Sequence, residues 1–411
     1  MKKSLVLMAV TSVALASCVN DVADVTKSQE EQKALICFDN PILYSNVNNS
    51  RANHYGEINS ETVGSTTHSY PDKESFIIFA VQHDGDFSGW TNATKAGFNG
   101  DALVRDANLD GWAPTYIDDK DQKQYYYWPS GKMSFAACSP ADMEQEADGW
   151  EATNITYDAN GLQLKDFVVP SDPAKHIDVL FAQRTINKTK ADMIQNASNY
   201  SGIPLRFQHA LSSIHFSLSN TSGETVVLKK ITIKNILNKG TFNENIDEDM
   251  NDDETFDYED YVIKTETVQG NVNPGWTPGT TIANYEAFSA NTDEGVTFPI
   301  TPQYITNLLL ETGTSNKGTN HVLLVLPQAI PDDATLEVHY TVNGADASKE
   351  VQLNTATDKD DSSKYINTWE IGTRYTYRLV YSSESASLDR IYFSPSSDPW
   401  KEAGVAIIDL K

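Results

Sequence analysis

Short apolar runs separated by turn residues make up most of the chain. Residues 75–81 form a continuous apolar run, which is typical of a strand in a sheet that is covered on both faces. Ile214, Phe216 and Leu218 alternate with more polar residues, as expected for a strand. The pattern predicts strands with a period of two.

The residues between the apolar runs also favour strands over helices. Asn160-Gly161 lies between two apolar stretches, 155–157 and 162–164, and favours a tight hairpin. Helical periodicity is weak, with one modest helix candidate at residues 191–197. We therefore expect an all-β fold.

The densest aromatic run is Tyr125-Tyr126-Tyr127-Trp128. Strand alternation puts Tyr126 and Trp128 on one face and the other two rings on the opposite face. Four aromatic rings are able to stack on sugars, but packing into a sheet core explains them more simply.

The first residues have the features of an export signal. Lys2-Lys3 precede an apolar run, residues 5–15, that is too short to span a bilayer as a mature helix. The run ends in Leu15-Ala16-Ser17-Cys18, which resembles a bacterial lipobox, so we expect residues 1–17 to be removed and Cys18 to be acylated. A polar spacer then leads to residue 34.

A short strand follows the spacer. Leu35, Ile36, Cys37 and Phe38 form it, and a polar loop rich in Asn and Ser runs from there to Arg51-Ala52, a possible protease site. We hypothesise that this strand is removable. Its departure would leave an unpaired apolar groove that the strand of another chain is able to fill.

Composition limits the classes of partner. The formal net charge is −26, and it becomes −28 when the two charges of Lys2 and Lys3 leave with the signal, which argues against nucleic acid and anionic lipid as partners. The polar stretch 183–203 is the expected boundary between an N-terminal domain, 52–203, and a C-terminal domain, 204–411. The pro-segment, 18–51, precedes both.

The cysteines and the metal-ligand patterns give little support for a disulfide bond or a metal site. Cys37 and Cys138 are expected to be buried thiols, with a bridge between them as the alternative. Asp106 to Asp110 matches half of a calcium loop, but Ile117 stands where a bidentate Glu is needed. The acidic stretch 247–260 shows no ligand order. Neither a metal nor a cofactor is expected.

Two histidines, His209 and His215, also invite a zinc site, because residues six apart share one face of a strand. No third ligand lies nearby in the sequence, so the prediction of a zinc site is weak.

An ordered set of motifs resembles the fimbrillin family, the type V pilins of Bacteroidales, also called Mfa-like fimbrial subunits. The motifs lie in five places along nearly the whole mature chain: Tyr126, Trp128-Pro129, Phe135-Ala136 and Pro140; Leu205 to Ser212 with Ile214; Leu326-Pro327-Gln328; Trp369, Gly372, Tyr375 and Tyr377; and Trp400. The resemblance implies two transthyretin-like β-sandwich domains in tandem and export as an outer-membrane lipoprotein. It also implies that an Arg-specific or trypsin-like protease removes the anchor and first strand, and that subunits polymerise into a fimbrium by donor-strand exchange.

Residue roles follow from the resemblance by position. Arg51 and Ala52 match the processing site, and Leu35 to Phe38 match the expelled strand. The donor segment matches Val405, Ala406, Ile407, Ile408 and Leu410, with Ala406, Ile408 and Leu410 on the face that better suits an apolar groove. Implied partners are other pilin subunits, membrane lipid before cleavage, the protease, and a receptor on a host or another bacterium.

Two other classes of function remain as alternatives. One is a surface lipoprotein or tip adhesin that binds glycans through the aromatic run and the loops around Trp90, Trp112 and Trp150 without polymerising. The other is an enzyme. The sequence has no Gly-x-Ser-x-Gly, no His-Glu-x-x-His and no phosphate-binding loop, so we expect no catalysis.

Overall fold

The structure is a computed structural model of the full chain. It describes residues 35–36, 38, 42–43, 61–63, 66–69, 74–85, 95–103, 112–117, 119–144, 154–158, 161–191, 203, 205–244, 275–291, 294–305, 319–320, 323–355, 366–382 and 401–409. No helix in these ranges is long and apolar enough to cross a membrane.

Strands dominate the described residues, and they are connected by loops and by short 3-10 helices at Ala141–Glu144, Pro173–Lys175 and Leu353–Thr355. In chain order the strands are β1 (Ile42–Leu43), β2 (Glu61–Val63), β3 (Thr66–Ser69), β4 (Phe76–His83), β5 (Lys95–Leu103), β6 (Thr115–Ile117), β7 (Lys123–Tyr125), β8 (Lys132–Ser139), β9 (Asn154–Asp158), β10 (Gly161–Val168), β11 (Leu180–Lys188), β12 (Arg206–His209), β13 (Ser212–Asn220), β14 (Val226–Leu237), β15 (Lys239–Asn243), β16 (Trp276–Pro278), β17 (Ile282–Ser289), β18 (Val296–Thr297), β19 (Gln303–Tyr304), β20 (Thr319–Asn320), β21 (Leu323–Val325), β22 (Gln328–Ala329), β23 (Thr335–Val342), β24 (Ala345–Gln352), β25 (Thr368–Trp369), β26 (Thr373–Tyr381) and β27 (Lys401–Asp409).

Most of these strands belong to four sheets. The large sheet has the order β2-β3-β1-β12-β11-β8-β4-β5, and the four-stranded sheet has the order β16-β15-β10-β9. The five-stranded sheet has the order β19-β13-β26-β27 with β21 also paired to β13, and the six-stranded sheet has the order β20-β17-β14-β23-β24 with β18 also paired to β14. The prediction of an all-β fold is confirmed.

The continuous apolar strand β4 is covered on both faces, as its sequence predicts. Ile77 and Phe79 lie in the main core, which extends into the five- and six-stranded sheets. Phe76, Ile78 and Ala80 lie on the opposite face, in a second cluster. A strand that is apolar at every position needs cover on both faces, and here the large sheet supplies it by sitting between two apolar layers.

The predicted hairpin is present. β9 and β10 pair antiparallel with Asp158 opposite Gly161, and only two residues separate these partners in the sequence. Gly161 has a φ of 95°, which a residue with a side chain rarely adopts, so its place at this turn has a steric reason.

Residue 203 is the predicted domain boundary, and strands from before and after it are hydrogen-bonded to each other. β12 follows that residue but pairs with β11 in the large sheet, with Leu180 opposite His209. The four-stranded sheet likewise joins β10 to β15, with Leu164 opposite Phe242. The division into two tandem sandwich domains, 52–203 and 204–411, stays a prediction.

Candidate functional site

A buried apolar cluster, which we call the groove, lies on the face of the large sheet opposite the main core. Alternate residues of the adjacent strands β4, β8, β11 and β12 form its floor, and it also includes Trp112, which follows β5, and Trp128, which precedes β8. We define the groove by these buried residues: Phe76, Ile78, Ala80, Trp112, Trp128, Met133, Phe135, Ala137, Leu180, Ala182, Ile203, Leu205 and Phe207.

The segment around Leu35 and Phe38 occupies this groove. The Ile36 amide donates to the Tyr126 carbonyl at 2.9 Å, and the Phe38 amide donates to the Trp112 carbonyl at 2.7 Å. Isolated bridges pair Leu35 with Tyr127 and pair Phe38 with both Trp112 and Ile203. These bridges and hydrogen bonds join the described residues of the segment to the rest of the chain.

Phe38 fills the middle of the groove. Its side chain is 0% exposed. Its ring lies edge-on to Phe135 at 5.7 Å and to Phe76 at 6.5 Å between ring centroids. Phe76 in turn contacts Trp112 and Phe207 at 5.0 Å and 5.3 Å. Edge-to-face geometry is the favourable arrangement for such rings, so the groove is shaped around this one side chain.

Burial explains how the groove holds the segment. Ile36 and Phe38 are 1% and 0% exposed. Burying each apolar side chain contributes about 1.5–3 kcal/mol, and each backbone hydrogen bond adds about 0.5–1.5 kcal/mol. The entropy of ordering the segment opposes these favourable contributions.

A second element near the segment was not predicted. β1 (Ile42–Leu43) sits inside the large sheet, parallel to β12 and antiparallel to β3, with Ile42 opposite both Arg206 and Ser69. The sequence predicts a polar loop here. The apolar run Ile42-Leu43-Tyr44 was the available signal, and it is too short to stand out among the Asn and Ser residues around it.

Other predicted site residues of the N-terminal region lie outside the described residues. They are Cys18, Cys37, Arg51 and Ala52, and their roles stay predictions. Cys138 is described, and its side chain is 0% exposed in the main core, on the face of the large sheet opposite the groove.

The predicted donor segment lies in β27. This strand is parallel to β26 at the edge of the five-stranded sheet. Its register puts Ala406 opposite Tyr377 and Ile408 opposite Leu379, and both of these β26 residues are 0% exposed in the main core. Val405, Ile407 and Asp409 stand opposite Thr376, Arg378 and Val380. Leu410 is outside the described residues.

The aromatic run divides as strand alternation predicts. Trp128 is 7% exposed in the groove, and Tyr126 packs against the same cluster. Tyr127 is 45% exposed, and the ammonium of Lys123 lies 5.6 Å from the ring centroid of Tyr125. Trp112 is buried as well, at 1%. Two of the rings proposed for glycan stacking are therefore inside the groove.

The two histidines considered for zinc are in different sheets. His209 ends β12 and its Nδ1 lies 2.9 Å from Oδ1 of Asp178. His215 is in β13 and contacts the Ser213 hydroxyl at 2.8 Å. The chain passes from the large sheet to the five-stranded sheet between them, so the expectation that they share a strand face was wrong.

Metal ligands do not converge elsewhere in the described part of the chain. Among those residues, no group of three or more His, Cys, Asp or Glu side chains is placed to hold an ion. The calcium-like stretch from Asp106 to Asp110 and the acidic stretch 247–260 lie outside them.

A family model for fimbrillin-like proteins matches residues 72–391. The match includes all strands from β4 to β26. It begins after the segment in the groove and ends before β27, so it covers neither the predicted processing site nor the donor segment. No curated protein matches the chain.

Several solved structures are similar to the chain. One is a fimbrial protein from Bacteroides vulgatus, with 13% identity and a TM-score of 0.44 over 75% of this chain and 89% of that one. Another is a candidate cell adhesion protein from Bacteroides uniformis, with 16% identity and a TM-score of 0.42 over 85% and 94%. A third, a candidate cell adhesion protein from Bacteroides ovatus, has 11% identity and a TM-score of 0.41 over 86% and 95%.

Proposed function

The chain belongs to the fimbrillin-like family, and from this premise we propose that it is a structural pilus subunit that polymerises by exchange of β-strands. The family itself indicates a role in fimbriae or adhesion at the cell surface and a non-enzymatic protein. The proposal goes further. It includes acylation of Cys18, anchoring in the outer membrane, cleavage after Arg51, and insertion of a neighbour's C-terminal strand.

The observation that supports this proposal most directly is the buried side chain of Phe38. A residue from before the processing site fills the middle of an apolar groove that the rest of the chain builds. Cleavage after Arg51 cuts the covalent link between the segment in the groove and the body. The vacated groove is then lined by aromatic rings facing water, which favours any apolar strand that covers it.

Cleavage also removes β1 from inside the large sheet. Its departure leaves unpaired backbone groups on β12 and on β3, because β1 pairs with both. A gap between two strands offers hydrogen bonds on both sides of an incoming strand, and the groove beside it offers apolar contacts. This combination is what strand addition requires.

Arg51 is the only one of the seven arginines that comes early enough in the sequence to make this cut while leaving the body whole. It follows β1 and precedes β2 in the chain. Among the arginines that the structure describes, Arg184, Arg206, Arg374 and Arg378 lie in strands, where cleavage would break the sheets. A trypsin-like protease acting on the folded protein is therefore expected to prefer Arg51 among these sites.

The test uses mature-length protein and an Arg-cutting protease. Mass spectrometry identifies the new N-terminus, and light scattering follows size. The expected result is a first residue of Ala52, loss of the segment containing Phe38, and growth of polymers. An Arg51→Ala chain should not be cut between β1 and β2 and should stay monomeric, and a cut chain truncated after Trp400 should not polymerise.

A mixture of two variants tests separately whether a chain donates a strand and whether it accepts one. Arg51→Ala protein keeps its C-terminal strand but has a filled groove, whereas cut protein truncated after Trp400 has an open groove and no strand to donate. The mixture should form pairs of one chain of each kind and nothing larger. Clean cutting at Arg51 with no assembly in any mixture would contradict the proposal and favour a monomeric surface lipoprotein or tip adhesin.

A further inference from the structure

His176 links a loop of the first half of the chain to a strand of the second half. It follows the short helix Pro173–Lys175 in the connection between β10 and β11. Its Nδ1 lies 3.1 Å from the amide nitrogen of Leu324 in β21, and its Nε2 lies 2.9 Å from the carbonyl oxygen of Pro170. Both ring nitrogens are thus used in hydrogen bonds to the backbone.

These two bonds determine the protonation state of the ring. A backbone amide only donates, so Nδ1 must accept from Leu324 through its lone pair. A backbone carbonyl only accepts, so Nε2 must bear the proton that it donates to Pro170. The structure therefore requires the neutral imidazole with its proton on Nε2, and the doubly protonated ring is incompatible with the bond to Leu324.

The His176 ring has apolar surroundings on the side that faces residues from the second half of the chain. The Tyr285 ring lies edge-on at 5.3 Å between centroids, and Leu324 is 0% exposed. Burial raises the pKa of Tyr285 well above its usual value, so that phenol stays neutral. An extra positive charge on His176 would meet an aromatic ring and a backbone amide on this side.

The charged residues nearest to His176 in the sequence are Asp172, Lys175 and Asp178. The Asp172 carboxylate accepts from the Ala174 amide at the start of the short helix, and the next residue, Lys175, is exposed. The Asp178 carboxylate is bonded to His209 at 2.9 Å.

We infer that His176 is a proton-sensitive connection between the loop before β11 and strand β21 of the five-stranded sheet. Uptake of a proton at Nδ1 uses the lone pair that accepts from Leu324. The new Nδ1–H group and the Leu324 N–H then point at each other and repel. The connection is made while the ring is neutral and weakens as the pH falls, because protonation favours the form in which this bond is broken.

The hydrogen bond that would be lost joins the loop to β21, and the position of β21 in the five-stranded sheet determines the consequence. β21 pairs with Ser212, Ser213 and Ile214 at the start of β13, immediately after the chain leaves the large sheet at His209. Opening of the Leu324 contact therefore loosens the place where the two halves of the chain join. Since the open form binds one more proton, its population should rise about tenfold for each pH unit below the titration of the ring.

The test uses full-length protein labelled with ¹⁵N in histidine. Long-range ¹H–¹⁵N spectra at pH 7.5 should show His176 as the Nε2–H tautomer. Hydrogen exchange of the Leu324 amide, corrected for its intrinsic pH dependence, should accelerate about tenfold per pH unit as the ring titrates. His176→Asn offers an amide oxygen near the position of Nδ1 and cannot titrate, so its exchange should be independent of pH. His339→Asn removes a surface histidine and should behave like the wild type.

Three results would overturn the inference: an Nδ1–H tautomer, a ring that titrates while Leu324 protection is unchanged, or a ring that stays neutral until the whole chain unfolds. Persistence of the pH dependence in His176→Asn would do so as well. If that variant does not fold, the tautomer and exchange profile of the wild-type protein decide the question alone.

Discussion

Replacing Phe38 with alanine should release the N-terminal segment from its groove without unfolding the sheet beneath it. The side chain is fully buried, and its ring packs edge-on against Phe76 and Phe135. Truncating a buried Phe costs about 3–5 kcal/mol, and this includes the cavity left behind. Most of that cost should fall on the bound state of the segment, because the large sheet keeps its own ladder.

Amide hydrogen exchange measures the effect directly. The amides of Ile36 and Phe38 donate to Tyr126 and Trp112, so they exchange when the segment leaves the groove. At about 1.4 kcal/mol for each factor of ten, their protection should fall roughly 10²- to 10³-fold in Phe38→Ala. Tyr127→Ala removes a half-exposed ring next to the same segment, and it should change protection by less than about threefold.

The same experiment has a clear contrary outcome. Amides in the centre of β4 and β8 report opening of the sheet itself. If Phe38→Ala weakens their protection as much as that of Ile36, the segment unfolds only together with the sheet. It would then be an integral part of the fold, and the reasoning that makes it a removable strand would fail.

Two further predictions concern backbone strain and surface charge. Gly295 has a φ of 59°, and a Cβ at this position would collide with the Leu228 carbonyl oxygen. Gly295→Ala should therefore lower the free energy of unfolding by about 2–3 kcal/mol, whereas Gly223→Ala, with a φ of 81° and open space around it, should cost about 1 kcal/mol; equal losses in urea titrations would refute the steric argument. The hydrogen bond from Lys234, 3.0 Å away, holds the pKa of Glu337 below its usual value of 4.5. This contribution is present above pH 4.5 and is lost as pH falls through the lowered pKa, so Glu337→Gln should cost about 0.5–1 kcal/mol at neutral pH and nothing in strong acid; a cost that is the same at both pH values would show that the charge is irrelevant.

Period-two patterns predicted the local structure well. The alternation in the aromatic run gave the correct faces for Tyr126 and Trp128, and the continuous run at β4 predicted a strand covered on both sides. Side chains alternate between the two faces along a strand, so the face on which a residue lies follows from its position in that strand. The same is true of the hairpin at Gly161, where the turn sequence and the backbone angle agree.

Pairing between distant strands could not be predicted in this way. His209 and His215 are close in sequence, but the chain changes sheets between them, and no local pattern marks that change. β1 was missed because two apolar residues are too few to show a period, although they pair with two other strands. The groove itself combines side chains from β4, β8, β11 and β12, and its existence depends on the order of those strands in the sheet.

Under the proposed function, the direction of assembly follows from the two ends of the chain. β27 already has a partner in its own chain, since it pairs with β26 along most of its length. Leaving that edge for a neighbour costs these hydrogen bonds and contacts, and insertion into the neighbour restores contacts of the same kind. Exchange between two intact chains is therefore nearly balanced. An empty groove changes the balance, because Phe76, Phe135 and the surrounding apolar side chains gain cover that they lack in the cut monomer. Cleavage after Arg51 would thus act as the step that makes exchange favourable, and chains that all keep Phe38 in place should remain single when they are mixed only with one another.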